Sequence, residues 1–224
     1  MQKHEYLADT HRPLWHNFLL CCGIIGSVLF SIAAFSYGAV SPNYDMMRQP
    51  MGELELLRYG WVQSVNFVVF GLFIFAFAFG LYRELKDGYG ALLLPVLQGF
   101  VALGLVLSGI FIHEPFHTQA SMLAIISLVI SFFVFAVRFA GDPRWRGWAA
   151  YSIASALVVT VLLAIFGYLK AHNGAYAGVL QRAAIFTRSL WLLIFTVRLM
   201  GGTGLGPQTK TNVADLQPDL AGHQ

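Results

Sequence analysis

The sequence predicts an all-α polytopic membrane protein, a bundle of six transmembrane helices with both termini in the cytoplasm. Three observations predict it. Of 224 residues, 57% are hydrophobic and only 11% charged, where a soluble domain carries roughly 25% charged residues. The apolar residues fall into six runs long enough for the ~20 residues that a helix needs to cross hydrocarbon. The 14 Lys and Arg residues are also spread unevenly over the connections between those runs.

Residues 1–14 form a polar cytoplasmic segment ahead of the first span, 16–40. Lys3 and Arg12 before an apolar run resemble a secretory signal, but the run is too long and no small-residue cleavage site closes it, so the span is retained. It carries the only cysteines, Cys21 and Cys22. Adjacent helical side chains diverge by about 100° and do not meet disulfide geometry, so both read as packing residues. The next connection, "SPNYDMMRQPMGELELLRYG", has Ser41 and Gln49 before prolines, where helix is disfavoured. It is expected to cap the bundle mouth, its Met and Leu side chains dipping into the interface. Asp45 and Arg48, three apart, are placed to pair.

The second span, 60–82, opens with Gln63 and Asn66 on one helical face, suited to bridging helices by hydrogen bonds. Gln98 and Ser108 in the third span, 90–112, and Ser152, Ser155 and Thr160 in the fifth, 147–169, suit the same role. Between the third and fourth spans stands "HEPFH". Pro115 is expected to begin the fourth span, 115–138, because proline is favoured in a first helical turn. That leaves His113 and Glu114 in the turn and His117 inside the helix. The proline also breaks the H-x-x-x-H spacing, since two histidines four apart share a face only when both are helical. His113, His117 and Asp45 therefore make no expected metal site. Trp145 and Trp148, beside Arg144 and Arg146, are expected to form an aromatic and cationic belt at the inner interface.

The sixth span, 179–199, contains Arg182 and Arg188. Arg188 lies on the order of 13 Å inside the bilayer by helical rise, and a central arginine costs about 2.5 to 3.5 kcal/mol to insert. It is expected to face the bundle and find a carboxylate or several carbonyls, with Glu114, Asp45 and Glu53 the available carboxylates. From Gly201 onward the chain is polar and rich in small residues, and a disordered cytoplasmic tail is expected over 201–224.

Nine of the 14 basic residues fall on the side of the termini, among them Arg83, Arg138, Arg144 and Arg198. By the positive-inside rule that side is cytoplasmic. The 41–58 segment, the "HEPFH" turn and the connection around His172 then share the outer side, in what reads as a bacterial inner membrane. A basic excess of this kind reports topology, so nucleic acid is not an expected partner. Membrane lipids are. No cofactor is expected: "GGTGLG" follows the last span and is no phosphate loop, and no two histidines face each other at one depth as haem ligands.

The run of "SPNYD" after the first span, "GELE" before a "GW" second span carrying Asn66, "SGIFIHEPFHTQAS" and an arginine-bearing last span resembles the domain-of-unknown-function 998 family. These are six-helix membrane proteins of bacteria and archaea. The resemblance covers residues 15–200 and implies the six-helix fold. It carries Glu53, Asn66, Glu114, His117 and Arg188 across as the positions of interest.

Three functions compete. The first is an outward-facing polar pocket that binds a lipid headgroup or a small anionic solute through Arg182 and Arg188, with Glu53, Asn66, Asp45, His113, Glu114 and His117 around it. The second is an intramembrane hydrolase or lipid-modifying enzyme with His117 and Glu114 as catalytic groups. The third is a non-catalytic scaffold in which the same charges pin helices together.

Overall fold

A computed structural model describes residues 13–85, 88–113 and 115–201. The N-terminal segment up to Arg12, Glu114 and the expected disordered tail lie outside the described residues. Six long helices run through the chain: α1 (Leu14–Val40), α2 (Trp61–Glu84), α3 (Leu93–Ile110), α4 (Phe116–Phe139), α5 (Trp148–Ala171) and α6 (Ala177–Met200). All six have the length and apolarity to cross a membrane. The largest departure from the expected spans is at α3, which starts at Leu93 where 90 is expected. Its entry is set by Gly88 and Gly90, whose φ of 94° and 77° belong to a left-handed turn that glycine adopts without strain.

Each helix packs on the next in the chain, and α6 returns to α1 to close a ring. Small residues set the closest approaches. A Cβ on Gly104 of α3 would stand 2.6 Å from the Ala120 carbonyl oxygen and 2.7 Å from the Ala124 amide of α4. With lipid as apolar as leucine, such backbone proximity gives the dispersion contacts that hold membrane helices together. Large apolar side chains such as Ile32, Leu72, Phe79, Leu157 and Val161 remain exposed on the outside, where hydrocarbon covers them.

Polar bridges tie four of the six seams. Asn66 Nδ2 donates to the Phe30 carbonyl at 3.0 Å (α2 to α1) and Gln98 Nε2 to Ser131 Oγ at 2.9 Å (α3 to α4). Trp191 Nε1 donates to Ser152 Oγ at 3.1 Å (α6 to α5), and Arg188 Nη1 to Ser27 Oγ at 3.2 Å (α6 to α1). Bonds of the neutral kind contribute about 0.6 kcal/mol each, so they fix register more than they hold the bundle.

An even number of crossings brings the start of α1 and the end of α6 to one end of the bundle, called here the terminal end. The other is the capped end, because residues 41–60 fold over it around a short 3₁₀ helix, Met51–Leu56. Met51 and Leu54 are fully buried and pack with Phe30, Phe67, Phe70 and Ile74, so the cap is part of the core. At the terminal end, the expected belt tryptophans are elsewhere. Trp145 and Trp148 are each 1% exposed and stack into a cluster with Phe139, Trp191 and Phe195. The 3₁₀ turn Pro143–Trp145 and the left-handed Gly147 (φ 78°) fold the α4–α5 connection back under the bundle. Arg198 lies 5.3 Å above the Trp145 ring.

Candidate functional site

The polar residues of the capped end divide into a clamp, a buried acid–imidazole pair and a deep arginine.

The clamp is Arg182, one turn into α6. Its Nη1 donates to the carbonyls of Met46 (2.7 Å), Gln49 (3.1 Å) and Gly178 (2.9 Å), and its Nη2 to Tyr44 Oη at 2.8 Å. Beside it the Gly178 and Val179 amides donate to the Arg48 and Met47 carbonyls at 3.1 and 3.2 Å. Gln181 Oε1 accepts from the Met51 amide at 2.8 Å. Gly178 has no space for a side chain against the Met46 and Gln49 carbonyls. The Arg182 guanidinium expected to hold an anion is thus filled by backbone oxygens of the cap. Asp45 and Arg48 do pair, at 3.6 Å on the surface. Asp45 Oδ1 also accepts from the Met47 amide at 2.8 Å, so Asp45 shapes the turn. Glu53 Oε2 accepts from Gln49 Nε2 at 3.1 Å.

The buried acid is Glu55, two residues past the Glu53 singled out by the sequence. With three residues per turn in a 3₁₀ helix, positions two apart point to different faces, and the Glu55 side chain is the one turned inward, 0% exposed. Its Oε2 lies 3.3 Å from His117 Nδ1 on α4, yet neither carboxylate oxygen accepts a directed hydrogen bond among the described residues. His117 Nδ1 stands 3.1 Å from the Ser108 carbonyl. A carbonyl only accepts, so this nitrogen carries the proton and leaves Nε2 as the free ring position. Nε2 faces Gly52 and would be 3.0 Å from a Cβ there, which makes Gly52 the residue that admits the ring. Ser108 Oγ and Ser121 Oγ, 3.1 Å apart, complete the cluster. Burial pushes the Glu55 carboxyl up to about 7, with the Ser64 hydroxyl opposing in part. Removing a carboxylate from water penalises its charged form.

His113 is exposed at the α3–α4 turn, apart from the inward-facing His117. Among the described residues no three His, Cys, Asp or Glu side chains converge as a metal site.

The deep arginine is Arg188, at the middle of α6 and 6% exposed. Its partners are Ser27 Oγ and the face of Phe70, 5.2 Å from the guanidinium carbon. The carboxylate expected to neutralise it is not among the described residues: Asp45 and Glu53 are held in the cap and Glu55 faces α4. Asn66, proposed to orient a ligand beside it, donates to Phe30 and to Gln63 Oε1 (3.2 Å) and serves as an interhelical bridge.

Sequence reasoning missed Glu55 and Ser27. For Glu55 the signal was present, since a "GELEL" stretch with alternating acids and leucines must bury one acid if its leucines dip inward. For Ser27 there was none, because a serine in an apolar helix looks the same whether it bonds its own backbone or a partner. A concavity of ≈ 350 Å³ lies at the terminal end beside Tyr82, Arg83, Leu85, Ala91 and Leu92, away from these groups.

Fold and site together define a multi-pass helical membrane protein with a clamped cap and ionisable groups enclosed in the bundle. The chain belongs to the family described as protein of unknown function (DUF998), which matches residues 24–198. No curated protein and no solved structure matches it.

Proposed function

We propose that the protein binds a small anion, or the anionic end of an amphiphile, inside the bundle at Arg188. The observation that carries this reading is a guanidinium buried at mid-helix with one hydroxyl and one ring as partners. Arginine keeps its charge in proteins, and a buried charge without a counter-charge costs several kcal/mol. Its Nη1 donates to the Ser27 hydroxyl, a neutral acceptor, whereas bidentate donation to a carboxylate or phosphate is the interaction a guanidinium is shaped for. Arg188 stands eleven residues into α6, about 17 Å from the capped end at 1.5 Å per residue. A headgroup would have to leave its interface to reach it, so the depth favours a small anion or a membrane-soluble acid. The α1–α6 seam, the sparsest in the ring, is the route of entry. The basic excess at the terminal end supports a cytoplasmic terminal end and an outward cap, in a bacterial inner membrane.

The test compares wild type with Arg188→Leu and Arg188→Lys by native mass spectrometry and by thermal shift with fatty-acid, phosphate and chloride probes. Wild type should retain or be stabilised by an anion, Lys should weaken it at least tenfold, and Leu should abolish it. Equal behaviour of wild type and Arg188→Leu toward every probe would refute the reading.

The scaffold reading has one observation of its own: Arg182 and Asn66, both expected at the ligand, bond to the chain itself. It predicts that Arg188→Leu with Ser27→Ala preserves all function.

A further inference from the structure

We infer that Glu55 and His117 form a proton-binding site under the cap, with Glu55 holding the proton and His117 as its exit. Both Glu55 oxygens are buried without a well-directed hydrogen bond among the described residues, and the Ser64 hydroxyl beside them favours the charged form only in part. The Glu55 side chain is 0% exposed, so the ligand that it takes without moving the cap is the smallest one, a proton. Such a buried acceptor, if charged, would cost the full desolvation of a carboxylate. Its rise to about 7 by burial agrees with that geometry.

The charged and titratable groups on the packed elements are otherwise engaged. Glu53 accepts from Gln49, and Arg58 lies 5.3 Å over the Tyr59 ring. Arg182 is held by Tyr44 and three carbonyls. Tyr37 of α1 packs against the apolar core, and His113 is exposed at the turn. Glu114 lies outside the described residues. Among the described titratable groups His117 is the one paired with the carboxylate, at 3.3 Å, and its side chain is 16% exposed where that of Glu55 is 0%.

The ring connects the two environments. A proton arriving on Nε2 converts His117 to imidazolium. Release of the Nδ1 proton to Glu55 Oε2 then returns the ring to neutrality and the carboxylate to its acid, so one proton enters and one is stored. The step needs no co-reactant. It operates without Arg188, so an Arg188 variant leaves it intact.

The experiment is pH-difference infrared spectroscopy of the purified protein in lipid nanodiscs. Wild type should show a protonated carboxyl band that disappears as pH rises through neutrality. Glu55→Gln should lack it. His117→Asn, which keeps a donor near the Nδ1 position but no relay nitrogen, should retain the band while its exchange in heavy water slows at least tenfold. A wild type without a carboxyl band titrating near neutrality overturns the site, as does the same band persisting in Glu55→Gln. Unchanged exchange in His117→Asn overturns the route. Should Glu55→Gln fail to fold, Glu55→Asp decides, because the shorter side chain must shift the band or its midpoint if Glu55 is its source.

Discussion

At the residue scale, the acid at position 55 makes stability depend on pH in a direction opposite to that of most carboxylates. Its folded value of about 7 exceeds the ordinary 4.5. Between those values the folded state keeps a proton that the unfolded chain releases. The stabilisation is therefore complete below about pH 4.5, declines as pH rises, and is gone above about 7. The difference of 2.5 (7 − 4.5) corresponds to on the order of 3 kcal/mol. Thermal unfolding of the detergent-solubilised protein between pH 4.5 and 8 should show a falling midpoint that Glu55→Gln flattens. Parallel curves for the two proteins would contradict this assignment.

At the scale of elements, the cap and α6 behave as one unit because Arg182 bonds three oxygens of the cap, the Met46 and Gln49 carbonyls and the Tyr44 hydroxyl. Arg182→Ala removes the guanidinium from two cap carbonyls, Met46 and Gln49, and from the Tyr44 hydroxyl. With charged hydrogen bonds each contributing about 1.5 to 3 kcal/mol, a loss of about 3 kcal/mol is expected. Amide exchange in residues 41–58 should accelerate more than tenfold while α3 and α4 stay protected; uniform acceleration would mean that the cap has no separate stability. The six spans, the cap and the inward helix face bearing Arg188 were all legible, because hydrophobic run length and proline position act locally along the chain. What Arg182 bonds to was not legible, since its acceptors are backbone carbonyls, which every residue possesses. Trp145 and Trp148 misled for a related reason. Tryptophan beside arginine reads the same in a lipid-facing belt and in a buried stack, and only the return of the chain at Gly147 separates them.

At the scale of the whole molecule, the ring order and the basic asymmetry give a topology that labelling can check. In a background with Cys21 and Cys22 replaced by Ala, a cysteine at Asn43 should react with an impermeant maleimide in intact cells, and one at Arg146 only after lysis. The reverse pattern would invert the bundle and turn the cap toward the cytoplasm. The separation of the deep arginine from the Glu55–His117 pair was outside the reach of sequence. Both sit on helices whose order is plain, but which faces meet depends on glycines such as Gly52 and Gly104 that admit a neighbour by lacking a side chain.

The closure of α6 on α1 bears on biogenesis. Synthesis proceeds from the N-terminus, so α6, the helix with the buried Arg188, leaves the ribosome after α1 to α5. By then α1 and α2 have been made, and Ser27 and Phe70 form a prepared berth. A chain truncated after α5 would present that berth to lipid, whereas α6 made alone would carry a charge that resists insertion. The sequence order thus lets the costliest segment enter the bilayer only once its receptor exists.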